Sequence, residues 1–136
     1  MTTILVTAPY LRRYLDRAQK IFDHYKLEAI YDLAGEHLLE DQLVKHNGEY
    51  DAALCGDDEF TRNIIEANLP RLKIISKWGT GINSIDTEAA KELGVVVGNT
   101  PNAFTLPVSD TVLAYMLTFA RQLVWVDREI RAGRWE

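Results

Sequence analysis

Short apolar, β-branched runs alternate along the first hundred residues with segments in which apolar side chains recur every three or four positions. The first pattern is typical of strands and the second of amphipathic helices. Five strands are predicted, at residues 3–7, 27–31, 51–55, 72–78 and 95–97. Four helices are predicted between them, at residues 10–25, 36–46, 61–68 and 86–93, with Thr61 and Asp86 capping the last two.

This alternation predicts an α/β fold. Strand–helix alternation with right-handed crossovers gives a doubly wound parallel sheet, and five strands suit the flavodoxin-like order 2-1-3-4-5. Sites in such sheets lie on the loops that leave the carboxyl ends of the strands. The loops to consider are therefore residues 8–10, 56–58, 79–81 and 99–101.

The last third of the chain has a different pattern. Residues 106–121 form a predicted helix that is apolar on most sides, and residues 123–133 form a second helix. A helix that is apolar nearly all round is normally buried on more than one side. We therefore divide the chain into a sheet domain, residues 1–101, followed by two C-terminal helices in residues 102–136.

Composition and charge exclude several classes of function. The 136 residues are 47% apolar and carry a net charge of −5, which disfavours a nucleic-acid partner. The single cysteine, Cys55, excludes an internal disulfide, and His24, His37 and His46 lack metal-ligand spacing, so we expect no metal site and solvated histidines. There is no secretory signal, and the longest apolar stretch is about half of a bilayer span. These features predict a cytoplasmic protein with no membrane partner.

The loop Gly79-Thr80-Gly81-Ile82-Asn83-Ser84 follows a predicted strand and precedes a predicted helix. It fails as a dinucleotide fingerprint because Ser84 holds the third glycine position and no acid follows the next strand. Two interpretations stay open. The glycines either let backbone N–H groups converge on a carboxylate or phosphate, or they form a tight turn that binds nothing.

Two further polar features have plain structural interpretations. Asp57-Asp58-Glu59 is expected to be a solvated acidic loop leading to the Thr61 cap, not a metal or phospho-acceptor site. Cys55, at the end of a buried strand, is expected to be a small core residue because no basic residue adjoins it in sequence.

Several motifs occur together in the second half of the chain. They are Lys77, Gly79-Thr80-Gly81, Ile85-Asp86, Glu88-Ala89-Ala90, Val95-Val96-Val97 and Asn99-Thr100-Pro101. In this order and spacing, and with the helix at 106–121 and the segment at 131–136, they resemble the D-isomer-specific 2-hydroxyacid dehydrogenases. The phosphoglycerate dehydrogenase branch is the most similar. The first sixty residues resemble the family only in the order of elements.

The resemblance implies a flavodoxin-like substrate domain of an NAD- or NADP-dependent oxidoreductase that interconverts a D-2-hydroxy acid and a 2-oxo acid. In the family, the turn matching Gly79, Thr80 and Gly81 holds the substrate carboxylate through its backbone amides. Lys77 matches a position near the anionic end of the substrate that is often arginine, and the lysine loses a fork-shaped contact to a phosphate.

The resemblance also implies where a cofactor would lie. Thr100 and Val108 match positions that line the cleft near the NAD. Asp110 stands where the family often has glutamate, and Asn83 where it often has aspartate. The family's catalytic arginine, glutamate and histidine, and its dinucleotide loop, lie in a second domain downstream of the segment at 131–136. We therefore expect no catalytic residue in this chain, no NAD bound by it, and no activity from it alone.

The partners follow from the same resemblance. We expect a small 2-hydroxy or 2-oxo acid as substrate and a homodimer formed through residues 106–133. The alternative is a stand-alone module that binds a small carboxylate for regulation. Sequence beyond Glu136 would distinguish the two, since a dinucleotide loop should follow within about thirty residues if the chain belongs to a dehydrogenase.

Overall fold

The computed structural model describes residues 1–33 and 35–135, which fall into two compact units divided after Pro101. The first unit has five strands: β1 Thr2–Val6, β2 Leu27–Tyr31, β3 Ala52–Cys55, β4 Ile74–Lys77 and β5 Val96–Gly98. Its helices are α1 Leu15–His24, α2 Glu40–Leu43, α3 Arg62–Ala67 and α4 Thr87–Glu92, with 3-10 segments at Pro9–Tyr14 and Val44–His46. The second unit has α5 Thr105–Ala120 and α6 Leu123–Arg131.

The five strands form one parallel sheet in the order β2-β1-β3-β4-β5, which confirms the predicted α/β fold and strand order. Leu5, Ala53, Ile75 and Val97 pair in register across its centre. Since all strands run the same way, their carboxyl ends share one edge. The loops after β1, β3, β4 and β5 therefore meet at that edge, which is where the candidate site is expected.

Alternating side chains place one apolar cluster on each face of the sheet. On one face, Leu5 and its neighbours pack against residues of α2, α3 and α4. On the other, Val6 packs against Leu11, Ala18 and Phe22, which come from the segment Pro9–Tyr14 and from α1. The sheet is thus held by helices on both faces, as a parallel sheet requires.

The helix boundaries follow the predicted caps. The Thr61 hydroxyl accepts a hydrogen bond from the backbone N–H of Ile64, and the Asp86 carboxylate accepts one from Ala89 at 2.8 Å. These bonds satisfy N–H groups that a helix N-terminus leaves without an intrahelical acceptor. Gly94, with φ +74°, follows α4 as the predicted stop.

The prediction of one helix over residues 10–25 was wrong in its first half. Pro9–Tyr14 is a 3-10 segment, and the α-helix begins only at Leu15. A 3-10 turn advances three residues rather than 3.6, so the apolar stripe shifts where the helix type changes. Within α1, Ala18 and Phe22 are buried, whereas Leu15 and Ile21 are exposed.

The predicted helix over residues 36–46 begins four residues late, at Glu40. The backbone of Leu38 has other partners: its N–H donates to the Asp58 carboxylate, and its C=O accepts from Glu59. Both bonds join it to the loop after β3, so the residues around Leu38 bridge to that loop rather than extending α2. Sequence periodicity carries no information about hydrogen bonds to residues this far away in the chain.

His24 and His37 are exposed, as expected, but the same expectation was wrong for His46. Only 12% of its side chain is exposed, and its Nε2 lies 2.9 Å from Asp32 while its Nδ1 lies 3.3 Å from Glu49. His46 therefore links the segment after β2 to the end of the α2 region.

The second unit is a helix pair, joined at Gln122, whose φ of +52° turns the chain between α5 and α6. Neither helix has a buried residue. Within the described residues, no helix combines the length and the apolar character needed to cross a membrane. Glu136, the end of the segment in the family resemblance, lies outside the described residues.

Candidate functional site

The glycine loop after β4 is held from both sides at the carboxyl edge of the sheet. Toward β3, the N–H of Trp78 donates to the C=O of Cys55 at 2.8 Å. Toward β5, the N–H of Thr100 donates to the C=O of Gly79 at 2.9 Å, and the Thr80 hydroxyl donates to the C=O of Thr100. The loop is thus fixed before any ligand binds.

Asn99 adds a further support that the sequence analysis did not assign. Its side-chain amide donates to the C=O of Thr80 at 2.6 Å. Together with Thr100 it ties the centre of the glycine loop to the end of β5. The Asn99-Thr100-Pro101 motif was the available signal, but its spacing alone does not show which backbone group the asparagine reaches.

The backbone donors of the loop are not equivalent. The N–H of Gly79 donates to the C=O of Lys77 at 3.0 Å, which removes it from a ligand-binding set. The N–H groups of Thr80 and Gly81 have no acceptor among the described residues, and both residues are exposed. Two free N–H groups in sequence can bind one carboxylate without displacing an internal bond.

The backbone constrains the residue type differently at Gly79 and Gly81. Gly79 has φ +147°, a conformation that residues with a Cβ rarely adopt. A Cβ on Gly81 would meet no atom within 4 Å, and its φ lies outside that range. The fold therefore requires glycine at position 79 but leaves position 81 free, which fits a second glycine that lets a ligand approach the backbone.

Lys77, predicted at the substrate's anionic end, is the last residue of β4, and its side chain is only 3% exposed. Its ammonium donates to the C=O of Gly56 at 2.5 Å and also to the carboxylate of Asp57. Asp57 lies on the solvent side of this pair, with 85% of its side chain exposed. The ammonium is therefore paired inside the protein before a substrate arrives.

The expectation of a solvated acidic loop at 57–59 was wrong for Asp58, which is fully buried. Its carboxylate accepts three hydrogen bonds: from the Thr7 hydroxyl at 2.6 Å, from Leu38 N–H at 2.6 Å and from Gly56 N–H at 2.8 Å. A buried carboxylate is tolerated when donors of this kind replace its water. Asp58 thereby joins β1, the segment before α2 and the loop after β3.

Cys55, beneath this loop, is buried, as expected for a core residue. Burial, with a smaller contribution from the Asp58 charge, raises the pKa of its thiol to about 12. A thiol with such a pKa is almost fully protonated at neutral pH, so Cys55 is not a nucleophile. The described residues also contain no group of histidine, cysteine and carboxylate side chains that could hold a metal ion.

The two predicted cofactor positions lie in different units. Thr100 follows β5 and is exposed, and Val108 lies in the first part of α5, also exposed. Neither position supplies a cradle of N–H groups for a pyrophosphate. In the part of the chain that the structure describes, no strand is followed by G-x-G-x-x-G, so these residues alone do not fit a dinucleotide.

Fold and loop together define a flavodoxin-like α/β domain with two free amides at the carboxyl edge of its sheet. The chain belongs to the D-isomer specific 2-hydroxyacid dehydrogenase family, because the sequence profile of that family's catalytic domain matches residues 4–132. This confirms the resemblance drawn from the motifs.

Individual relatives agree with this assignment. Over 111 residues the chain is 34% identical to D-3-phosphoglycerate dehydrogenase 2 of Arabidopsis thaliana chloroplasts, covering 81% of this chain and 17% of the relative. It is 36% identical over 106 residues to hydroxypyruvate reductase of Thermotoga maritima, covering 77% and 34%. The crystal structure of the TT0316 protein of Thermus thermophilus superposes with a TM-score of 0.71 at 25% identity, covering 99% and 42%. The chain thus spans well under half the length of these relatives.

Proposed function

We propose that these 136 residues are the substrate-binding part of an oxidoreductase that interconverts a D-2-hydroxy acid and a 2-oxo acid. The observation that carries the proposal is the pair of free N–H groups at Thr80 and Gly81, fixed at the carboxyl edge of the sheet and adjoining Lys77. Family membership supports this class of substrate. In the complete enzyme NAD or NADP supplies the hydride acceptor, and the role of this part is to hold the acid.

Binding of a small acid is testable on the chain itself. With no second domain over the loop, a carboxylate stays half solvated, so the expected dissociation constant is about 1 mM or weaker. In an NMR titration with D-glycerate or glyoxylate, the amide shifts should centre on residues 79–81. Shifts centred on residues 57–59 would contradict this location.

The chain alone is expected to be inactive. A dehydrogenase must place a proton-transfer group against a bound nicotinamide. His37, which lines the cleft between the loops after β3 and β4, is exposed, and the sequence has no dinucleotide loop to hold the cofactor. Reduction of NAD or NADP by the purified chain with any 2-hydroxy acid would refute this.

We further propose that the chain self-associates as a homodimer through residues 106–133. Leu113, Met116, Leu117 and Phe119 of α5 are between 57% and 88% exposed. Burying side chains of this size contributes about 1.5–3 kcal/mol each, less for the part already covered, and a symmetric dimer is the simplest way to bury them. Light scattering should show a dimer mass at about 100 µM, whereas a strictly monomeric mass would refute the proposal.

A cytoplasmic location forms part of the same proposal. It is supported by a single, buried cysteine, which needs no oxidising compartment. Labelling of the protein in fractionated cells would test it.

A further inference from the structure

We propose that Asp57 determines specificity by neutralising Lys77, so that the site favours 2-hydroxy and 2-oxo acids with one negative charge over phosphorylated ones. This inference rests on the proposed function, since it concerns the acid that the glycine loop would bind. It assigns a role to a residue that the family motifs do not include.

The first step of the argument is the position of the charges. The Lys77 ammonium lies inside the protein, bound to the C=O of Gly56 and to the Asp57 carboxylate. The lysine stem runs beneath the glycine loop, because its Cε lies 3.5 Å from the position that a Cβ on Gly79 would occupy. An acid bound to the amides of Thr80 and Gly81 would therefore approach a lysine whose charge is already balanced.

The second step concerns the charged residues around the Asp57–Lys77 pair. The cleft between the loops after β3 and β4 is lined by three acidic residues, Asp57, Glu59 and Asp86, together with His37, Thr61 and residues 83–85. Glu59 accepts from the backbone N–H of Glu40, and Asp86 caps α4, so both are held in place by the fold. Asp57 is the acid of this cleft that also binds Lys77, so its charge is the one linked to the glycine loop.

The third step is the size of the effect that the Asp57 charge has on the affinity for an anion. Two unit charges about 4 Å apart in water interact by about 1 kcal/mol, which corresponds to about a fivefold change in affinity. A phosphate monoester carries about two negative charges at neutral pH. Removing the Asp57 charge should therefore favour a phosphorylated acid over its unphosphorylated counterpart by about fivefold or more.

The fourth step is the choice of variants. Asp57→Asn removes the charge at an exposed side chain, so the fold should be retained, and unchanged amide shifts of β3 would verify this. Asp57→Glu restores a carboxylate and should behave like the parent. Glu28→Gln is the matched control, because it makes the same change in net charge at an exposed residue of β2 that pairs with Thr3, near the opposite edge of the sheet.

The experiment is an NMR titration of all four proteins with D-glycerate and with 3-phospho-D-glycerate at constant ionic strength. The ratio of the two dissociation constants, read from the shifts of residues 79–81, should move toward the phosphorylated acid by about fivefold in Asp57→Asn only. An unchanged ratio, or an equal change in Glu28→Gln, overturns the role of Asp57 while leaving the proposed function intact. If neither acid shifts residues 79–81 in any variant, the proposed function and this inference both fail.

Discussion

Replacing Asp58 by asparagine should destabilise the first unit, although the substitution keeps the shape of the side chain. One carboxylate oxygen accepts from Leu38 N–H, and the other accepts from both Gly56 N–H and the Thr7 hydroxyl. An asparagine has only one oxygen, so its NH₂ group must face a backbone N–H in either orientation. The hydroxyl of Thr7 can rotate away, but the backbone donors cannot.

The expected loss in the free energy of unfolding follows from the hydrogen bond that Asp58→Asn removes. A hydrogen bond to a charged group contributes about 1.5–3 kcal/mol, and a buried donor without an acceptor costs about 1–3 kcal/mol. We therefore expect Asp58→Asn to lower the free energy of unfolding by about 2–3 kcal/mol. Thr7→Val removes only the hydroxyl donor and leaves two bonds to the carboxylate, so it should cost less than Asp58→Asn.

The assay is urea denaturation followed by the NMR amide signals of β3, which report on the first unit. With a slope of about 1–3 kcal/mol per molar urea, the midpoint should fall by about 1–2 M. Asp57→Asn is the matched control one residue away. The Asp57 side chain is 85% exposed and the asparagine oxygen can still accept from the Lys77 ammonium, so this variant should lose less stability than Asp58→Asn. If Asp58→Asn matched this control, the carboxylate would not be holding the loop, and the reasoning would be refuted.

Further predictions concern Gly79, Gly81, Cys55 and Tyr50. Gly79→Ala should cost about 1–2 kcal/mol in urea denaturation because of its φ of +147°, whereas Gly81→Ala should change stability by less than about 0.5 kcal/mol while weakening acid binding. Cys55, with its pKa raised to about 12 by burial, should resist a thiol reagent near neutral pH until urea unfolds the chain. Because the unfolded thiol ionises first, stability should fall between about pH 9 and 12, and a flat profile there would contradict the burial argument. Tyr50→Phe should leave stability unchanged or raise it by about 1 kcal/mol, since the buried Tyr50 hydroxyl has no hydrogen-bond partner among the described residues.

Much of the architecture could be predicted because it depends on local patterns. Strand alternation, the caps at Thr61 and Asp86, and the stop at Gly94 each involve residues that are neighbours in sequence. Together with the handedness of crossovers, these patterns lead to the observed strand order. The late start of α2 could not be predicted in this way, because a distant residue, Asp58, takes the N–H of Leu38.

The site was predicted less completely for the same reason. Its position on the loop after β4 followed from the glycines and from the rule that ligands bind at the carboxyl edge. The burial of Lys77 and its pairing with Asp57 did not, because they join residues twenty positions apart that only the parallel pairing of β3 with β4 brings together. Charge neutralisation of this kind leaves no spacing pattern in a single sequence.

Asp57 and Asp58 are the same residue type and adjacent in sequence, but their different surroundings give the two carboxylates different roles. Asp58 is enclosed and accepts hydrogen bonds from three donors of the fold, so its carboxylate contributes to stability. Asp57 is exposed and binds the Lys77 ammonium, and its charge is the one that we propose acts on an anion at the glycine loop. The two effects should therefore separate in the two asparagine variants, one changing the urea midpoint and the other the ratio of acid affinities. A variant pair in which both properties moved together would mean that the loop after β3 shifts as a unit, and that its two charges cannot be assigned separate roles.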